Sequence, residues 1–106
     1  MISMFLEKSG YRVTSCGDGA SGLAHINRDP AGFRVVIADL TLPDMGGDAM
    51  SMQMLDINPE LRILICSGYP FDIESVPAAK RSRVAVLQKP FMPDMLRGAV
   101  AELLAR

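Results

Sequence analysis

Cysteine, histidine and net charge are all scarce in this sequence. Two cysteines, Cys16 and Cys66, stand among 106 residues. Two do not make a disulfide framework, and these two lack the spacing of metal ligands. They read as small apolar fillers with free thiols, in a reduced, cytoplasmic setting. The formal net charge is only -1, which gives no case for nucleic acid or an anionic membrane as an obligate partner. No apolar run approaches the ~20 residues of a membrane span. The opening "MISMFLEKSG" has no basic stretch and carries an early Glu7, so it does not read as a signal peptide. A Gly-rich phosphate loop is absent, which argues against nucleotide binding. There is no repeat, low-complexity tract or internal linker. What is left is a single domain over 1–106, 49% apolar, long enough for one core.

The apolar residues alternate between two periods. "MFLEKSG" reads as the end of a helix, closed by Gly10 just past its last turn. "YRVTSC" alternates like a short strand. "DGASGLAHINRDP" places Leu23 and Ile26 on one helical face, between a cap at Asp18 and a stop at Pro30. "FRVVIA" is a continuously apolar strand, "GDAMSMQMLDINP" a Met-rich helix, and "LRILIC" a second apolar strand. "PFDIESVPAAKR" is a weak helix interrupted by Pro77. "RVAVLQ" is a further strand, and "PDMLRGAVAELLAR" a final helix with Pro93 in its first turn. Strands alternating with helices predict an α/β fold with a parallel sheet. In such sheets ligands gather outside the carboxyl ends of the strands.

Three chemically useful residues stand at those ends. "FRVVIA" runs into Asp39, "LRILIC" into Ser67 and Gly68, and "RVAVLQ" into Lys89 and Pro90. A carboxylate can attack phosphorus. A hydroxyl and an ammonium can hold the oxygens of a transferred phosphoryl group. Gly68, with no side chain, leaves room for an incoming group. Singly, each has a plainer role: Asp39 capping a turn, Ser67-Gly68 forming one, Lys89 an exposed charge. Their joint order and spacing favour chemistry.

The stretches "VVIADLTLPDMGG", "ILICSGYP" and "VLQKPF" resemble the motifs of the response-regulator receiver domain of two-component signalling, in order and in spacing. The resemblance runs from about residue 5 to the C-terminus. It implies a flavodoxin-like (CheY-like) parallel sheet with helices on both faces. It implies that Asp39 accepts phosphate from a phosphohistidine, that Ser67 is the switch hydroxyl, and that Lys89 contacts the phosphate beside a cis peptide to Pro90. It makes the main-chain carbonyl of Thr41 a Mg²⁺ ligand together with Asp39. The implied partner is a sensor histidine kinase or a histidine phosphotransfer protein, and the chain is a relay rather than an enzyme.

The departures from that family carry expectations of their own. Its members open with an apolar strand ending in two adjacent acids that bind Mg²⁺. No such segment precedes "YRVTSC", so the domain is expected to be N-terminally incomplete, with four strands. Glu7 and Asp18 are poorly placed to replace the acids. Mg²⁺ binding is therefore expected to be impaired, because a hard cation wants a full octahedral shell of oxygens. The slot of the missing strand would be closed by the "YRVTSC" strand pairing directly with "FRVVIA", or by another copy, making a homodimer more accessible. Where many receivers carry an aromatic switch residue, this chain has Val86. A second reading follows: a degenerate receiver used as a phosphorylation-independent binding or dimerisation module. His25 reads as an ordinary helix residue, Met45, Met50, Met52 and Met54 as helix and core filling, and Lys80, Arg81 and Arg83 as a solvated loop.

Overall fold

The computed structural model describes residues 6–16, 19–39, 47–68 and 70–106. Its sheet has three parallel strands: β1 (Val35–Asp39), β2 (Arg62–Ser67) and β3 (Val84–Gln88), in the order β1-β2-β3. Val35 pairs with Arg62 and Asp39 with Cys66. Ile63 pairs with Val84 and Ser67 with Gln88. β2 is thus flanked on both sides, and every residue from Ile63 to Ser67 is buried. That is why its sequence is apolar without alternation.

Successive side chains of a strand point to opposite faces, and each face carries its own core. Ala38, Ile63, Ile65 and Val84 meet Ile26 of α1 (Gly19–Arg28) and Met50, Met54 and Leu55 of α2 (Gly47–Ile57). On the other face, Leu64 and Cys66 meet Leu96, Val100 and Leu103 of α3 (Pro93–Ala105), with Leu6 beside them. Each such aliphatic side chain, fully buried, stabilises the fold by about 1.5–3 kcal/mol. Met50 and Met54 are core residues, as expected. Cys16 and Cys66 are not joined in a disulfide.

The helix ends obey the chain's own signals. Gly10, at φ 97°, is the left-handed residue that closes the turn at 6–8. Its N–H donates to the Glu7 carbonyl at 3.0 Å, and the Tyr11 N–H to the Leu6 carbonyl at 3.1 Å. These two bonds define a Schellman cap, and Tyr11 packs in the same core as Leu6. Pro93 opens α3, where its missing N–H costs nothing.

Three expectations need correction. Residues 11–16 carry no strand, so the sheet has three strands among the described residues, not four. Tyr11 and Val13 pack on the α3 side of the core while Arg12 and Thr14 are exposed. The alternation in "YRVTSC" thus reports one side facing a core. Backbone pairing is a separate condition, and here it is not met.

The segment between β2 and β3 is not one weak helix but two 3-10 turns, Ile73–Ser75 and Ala78–Arg83. Pro77, with no N–H to donate, divides them. Lys80, Arg81 and Arg83 are more than a solvated loop. Lys80 pairs with Asp56 of α2 at 2.6 Å. The Arg81 Nε–H donates to the Val76 carbonyl at 2.8 Å. Arg83 Nη1 donates to the carbonyls of Pro59 at 2.8 Å and Asn58 at 3.2 Å, just past the end of α2. Asn58 is itself buried. Its amide donates to Pro30 O at 2.6 Å and its Oδ1 accepts from Glu60 N at 2.9 Å, which ties the approach to β1 to the approach to β2.

Candidate functional site

Three strands running the same way bring their carboxyl ends to one pole. β1 ends on Asp39 and β2 on Ser67. Because Asp39 pairs with Cys66, Ser67 stands one residue beyond it on the neighbouring strand. Gln88 pairs with Ser67, and Lys89 follows. The Lys89 N–H donates to the Ser67 carbonyl at 2.7 Å, which carries the β2–β3 pairing one step further. With strands about 4.8 Å apart and Lys89 two residues further along its strand than Asp39, the Cα positions of the three residues span roughly 12 Å. The sheet therefore assembles the acid, the hydroxyl and the ammonium that the sequence placed at strand ends.

Their surroundings differ. Ser67 is fully buried, a polar residue inside the sheet. Lys89 is half-buried, and the Lys89–Pro90 peptide is cis. Gly68 is exposed, and a Cβ built there would meet nothing within 4 Å. Its φ is not positive, so neither backbone strain nor crowding in this structure requires glycine. Val86 is partly buried against the α1/α2 side of the core, where a small aliphatic packs without a rotating ring.

Other candidates lie apart from this pole or outside the description. Thr41, Asp18, Pro43, Met45 and Gly46 fall outside the described residues. His25 lies on α1 with its ring edge-on to Phe33, centroids 6.3 Å apart, as an ordinary helix residue should. Among the described residues no three His, Cys, Asp or Glu side chains come together as a metal site. No helix among them is long and apolar enough to cross a membrane.

One feature escaped the sequence reading. Met92 and Met95, just after Lys89, are the exposed large apolar side chains among the described residues, at 68% and 49%. Their signal was present: Met92 precedes the Pro that opens α3, and Met95 falls off the stripe of Leu96, Val100 and Leu103.

Chemically, a carboxylate, a hydroxyl and an ammonium on adjacent strand ends suit attack on an electrophile that carries several anionic oxygens. The ammonium lowers the cost of bringing two anions together. The hydroxyl and the main-chain N–H groups supply hydrogen bonds as charge develops.

Comparison with known proteins agrees with this geometry. The family model described as the response regulator receiver domain matches residues 1–101. The response regulator receiver protein CpdR of Brucella abortus (strain 2308) is 30% identical over 86 residues, 81% of this chain and 70% of its own length. Much longer transcriptional regulators also match, and the chain spans only 19% and 23% of two of them. Among solved structures, a CheY-like receiver domain protein from Methanospirillum hungatei JF-1 superposes with a TM-score of 0.85 at 27% identity. The match covers 98% of this chain and 82% of that one. A response regulator from Burkholderia pseudomallei, solved with a phosphorylated aspartic acid, calcium ion and citrate, gives 0.76 at 25% identity. There the coverage is 98% and 62%. The fold is the CheY-like flavodoxin architecture, a parallel sheet with helices on both faces.

Proposed function

Since the chain belongs to the response regulator receiver domain family, we propose that it relays a signal by accepting a phosphoryl group on Asp39. The donor is the phosphohistidine of a sensor histidine kinase or a histidine phosphotransfer protein. A carboxylate oxygen of Asp39 attacks phosphorus, and the P–N bond breaks. Its electron pair returns to the imidazole nitrogen, which takes up a proton. Ser67 then donates its hydroxyl to one phosphoryl oxygen, and the Lys89 ammonium neutralises another. The observation that carries this reading is the register: Asp39, Ser67 and Lys89 end adjacent parallel strands at one pole. The phosphorylated aspartate in the Burkholderia pseudomallei relative is consistent with it. Met92 and Met95 give an incoming partner an apolar surface near Lys89.

The whole chain, 1–106, acts on this reading as one receiver domain in the cytoplasm, alone or within a larger hybrid protein. It binds no nucleic acid or membrane of its own. Mg²⁺ is the cation the family implies, with Asp39 and the Thr41 main-chain carbonyl as its ligands here. The described residues bring no acidic cluster to this pole, so the donor set does not fit a tightly held cation, and no step is assigned to one. That same shortage favours a second reading, a degenerate receiver that binds or dimerises without phosphorylation.

Intact mass separates the two. The chain is incubated with a small phosphodonor, with and without Mg²⁺, alongside Asp39→Asn. One phosphoryl adduct, absent from the variant, is the expected result. A folded sample that gains no adduct, or an adduct that survives in Asp39→Asn, removes the relay reading and leaves the binding module.

A further inference from the structure

Gln88 breaks the pattern of its strand. β3 runs through Val84, Ala85, Val86 and Leu87, all apolar, and then ends on a carboxamide. Val84 and Val86 pack on the α1/α2 side of the sheet, Ala85 and Leu87 on the α3 side. Alternation along the strand therefore sets Gln88 on the α1/α2 side. Ile63 and Ile65 of β2 lie on that same side, which sets Ser67 there too. Gln88 is also the register partner of Ser67. The two residues thus stand directly opposite each other on one face of the sheet, at the pole that holds Asp39.

They differ in access. Ser67 is fully buried, and Gln88 is exposed. The Gln88 carboxamide makes no hydrogen bond among the described residues. Lys89 falls by the same alternation on the α3 side. β3 therefore ends with an ammonium on one face of the sheet and an uncommitted amide donor on the other.

A transferred phosphoryl group spreads its charge over three oxygens. In the relay reading Ser67 and Lys89 take one each, which leaves the third for another donor. The oxygen bonded by Ser67 lies within about 3 Å of its hydroxyl, and so close to the end of β2. With bonds of about 1.5 Å, an extended Gln carboxamide stands about 5 Å from its own Cα, which matches the strand spacing of about 4.8 Å. Gln88 therefore reaches the end of β2 without any movement of the sheet. Its NH₂ is a donor of two protons, and a bond from it strengthens as charge collects on the oxygens. The nearest side chains offer no such group, since Leu87 is apolar and Gly68 has none.

We propose that Gln88 is a further phosphoryl contact, its carboxamide N–H donating to the oxygen that Ser67 and Lys89 leave free during transfer to Asp39. The proposal rests on the relay reading and adds a residue to it. The test is timed intact mass of the whole chain with phosphoramidate and Mg²⁺. The donor presents a P–N bond: an Asp39 oxygen attacks phosphorus, and the electron pair leaves with nitrogen, which takes up a proton as ammonia. The parent is compared with Gln88→Leu, Gln88→Glu and Asp39→Asn. Gln88 is exposed, so its changes spare the fold, and urea unfolding checks that they do. In Gln88→Leu, adduct formation should slow about tenfold, through loss of one hydrogen bond to a charged group. Gln88→Glu keeps the shape and replaces the donor with an anion. It should be slower still, and added salt should recover part of that extra loss. A Gln88→Leu rate within about twofold of the parent, or a Gln88→Glu chain no slower than Gln88→Leu, overturns the proposal and leaves the relay reading standing. A parent that gains no adduct, or one that Asp39→Asn retains, overturns both.

Discussion

Removing the guanidinium of Arg83 should destabilise the fold without touching the proposed phosphoacceptor. Arg83 Nη1 lies 2.8 Å from Pro59 O, 3.2 Å from Asn58 O and 3.4 Å from Leu55 O. A single NH₂ has two protons, and only the two shorter contacts fall in the normal range for N–H···O. A hydrogen bond from a charged donor contributes about 1.5–3 kcal/mol. The contact to Pro59 is solvent-exposed and the other two only partly buried, so screening reduces the pair to about 1–2 kcal/mol together. The attraction between a cation and the α2 C-terminus, about 0.3–1 kcal/mol, is already part of that figure. Arg83→Met keeps the aliphatic stem and loses the donors. For a domain near 100 residues, about 1–2 kcal/mol lowers Tm by roughly 5–10 °C. Urea unfolding should show a lower midpoint with an unchanged slope. Arg83→Lys should recover only part of the loss, since the ammonium is more strongly hydrated than a guanidinium and sits on a shorter side chain. An Arg83→Met chain within about 0.5 kcal/mol of the parent would refute the reasoning, because the guanidinium would then be solvated rather than clamping α2 to β3.

Two further substitutions probe backbone freedom. Gly10→Ala forces an L residue to φ 97°, and should cost about 1–2 kcal/mol in urea unfolding; no measurable loss would mean that the Schellman cap is not held in solution. Gly68→Ala should leave stability unchanged within about 0.5 kcal/mol, since its Cβ meets nothing within 4 Å. If the incoming phosphoryl group uses that space, the same variant should slow adduct formation on Asp39 in a timed intact-mass assay, and an equal rate would show that the space is not used.

The parts of the fold that were legible in the sequence are those that depend on short-range rules. Val35 to Ala38, Arg62 to Cys66 and Val84 to Gln88 are strands with few competing readings, being short, apolar or β-branched, and bounded by Gly, Pro or charge. Gly10 and Pro93 mark helix ends because each has one backbone property no other residue shares. The three residues at the pole were legible for a related reason. In a parallel sheet, a residue's place at the end of its strand fixes its place in space. Asp39, Ser67 and Lys89 could therefore be set side by side before any coordinate was known.

Where reading failed, the missing information was tertiary. "YRVTSC" alternates as a strand does, yet residues 11–16 carry no strand. Period-two burial needs only that one side of an extended segment faces a core, as Tyr11 and Val13 do. A ladder also needs a partner edge at the right height, and periodicity carries no trace of that. The basic run Lys80, Arg81 and Arg83 fails in the opposite sense. Three cations near one another read as a solvated loop, because nothing local distinguishes a guanidinium in water from one bonded to carbonyls. Arg83 finds its acceptors 24 and 25 residues away in the chain, where α2 has just ended and the helix ladder no longer supplies a donor to each carbonyl. The need of those carbonyls was visible in the helix-ending "INPE", and the donor was visible in "KRSR". Only the parallel pairing of β2 with β3, which lays the start of one strand beside the start of the other, brings the need and the donor together.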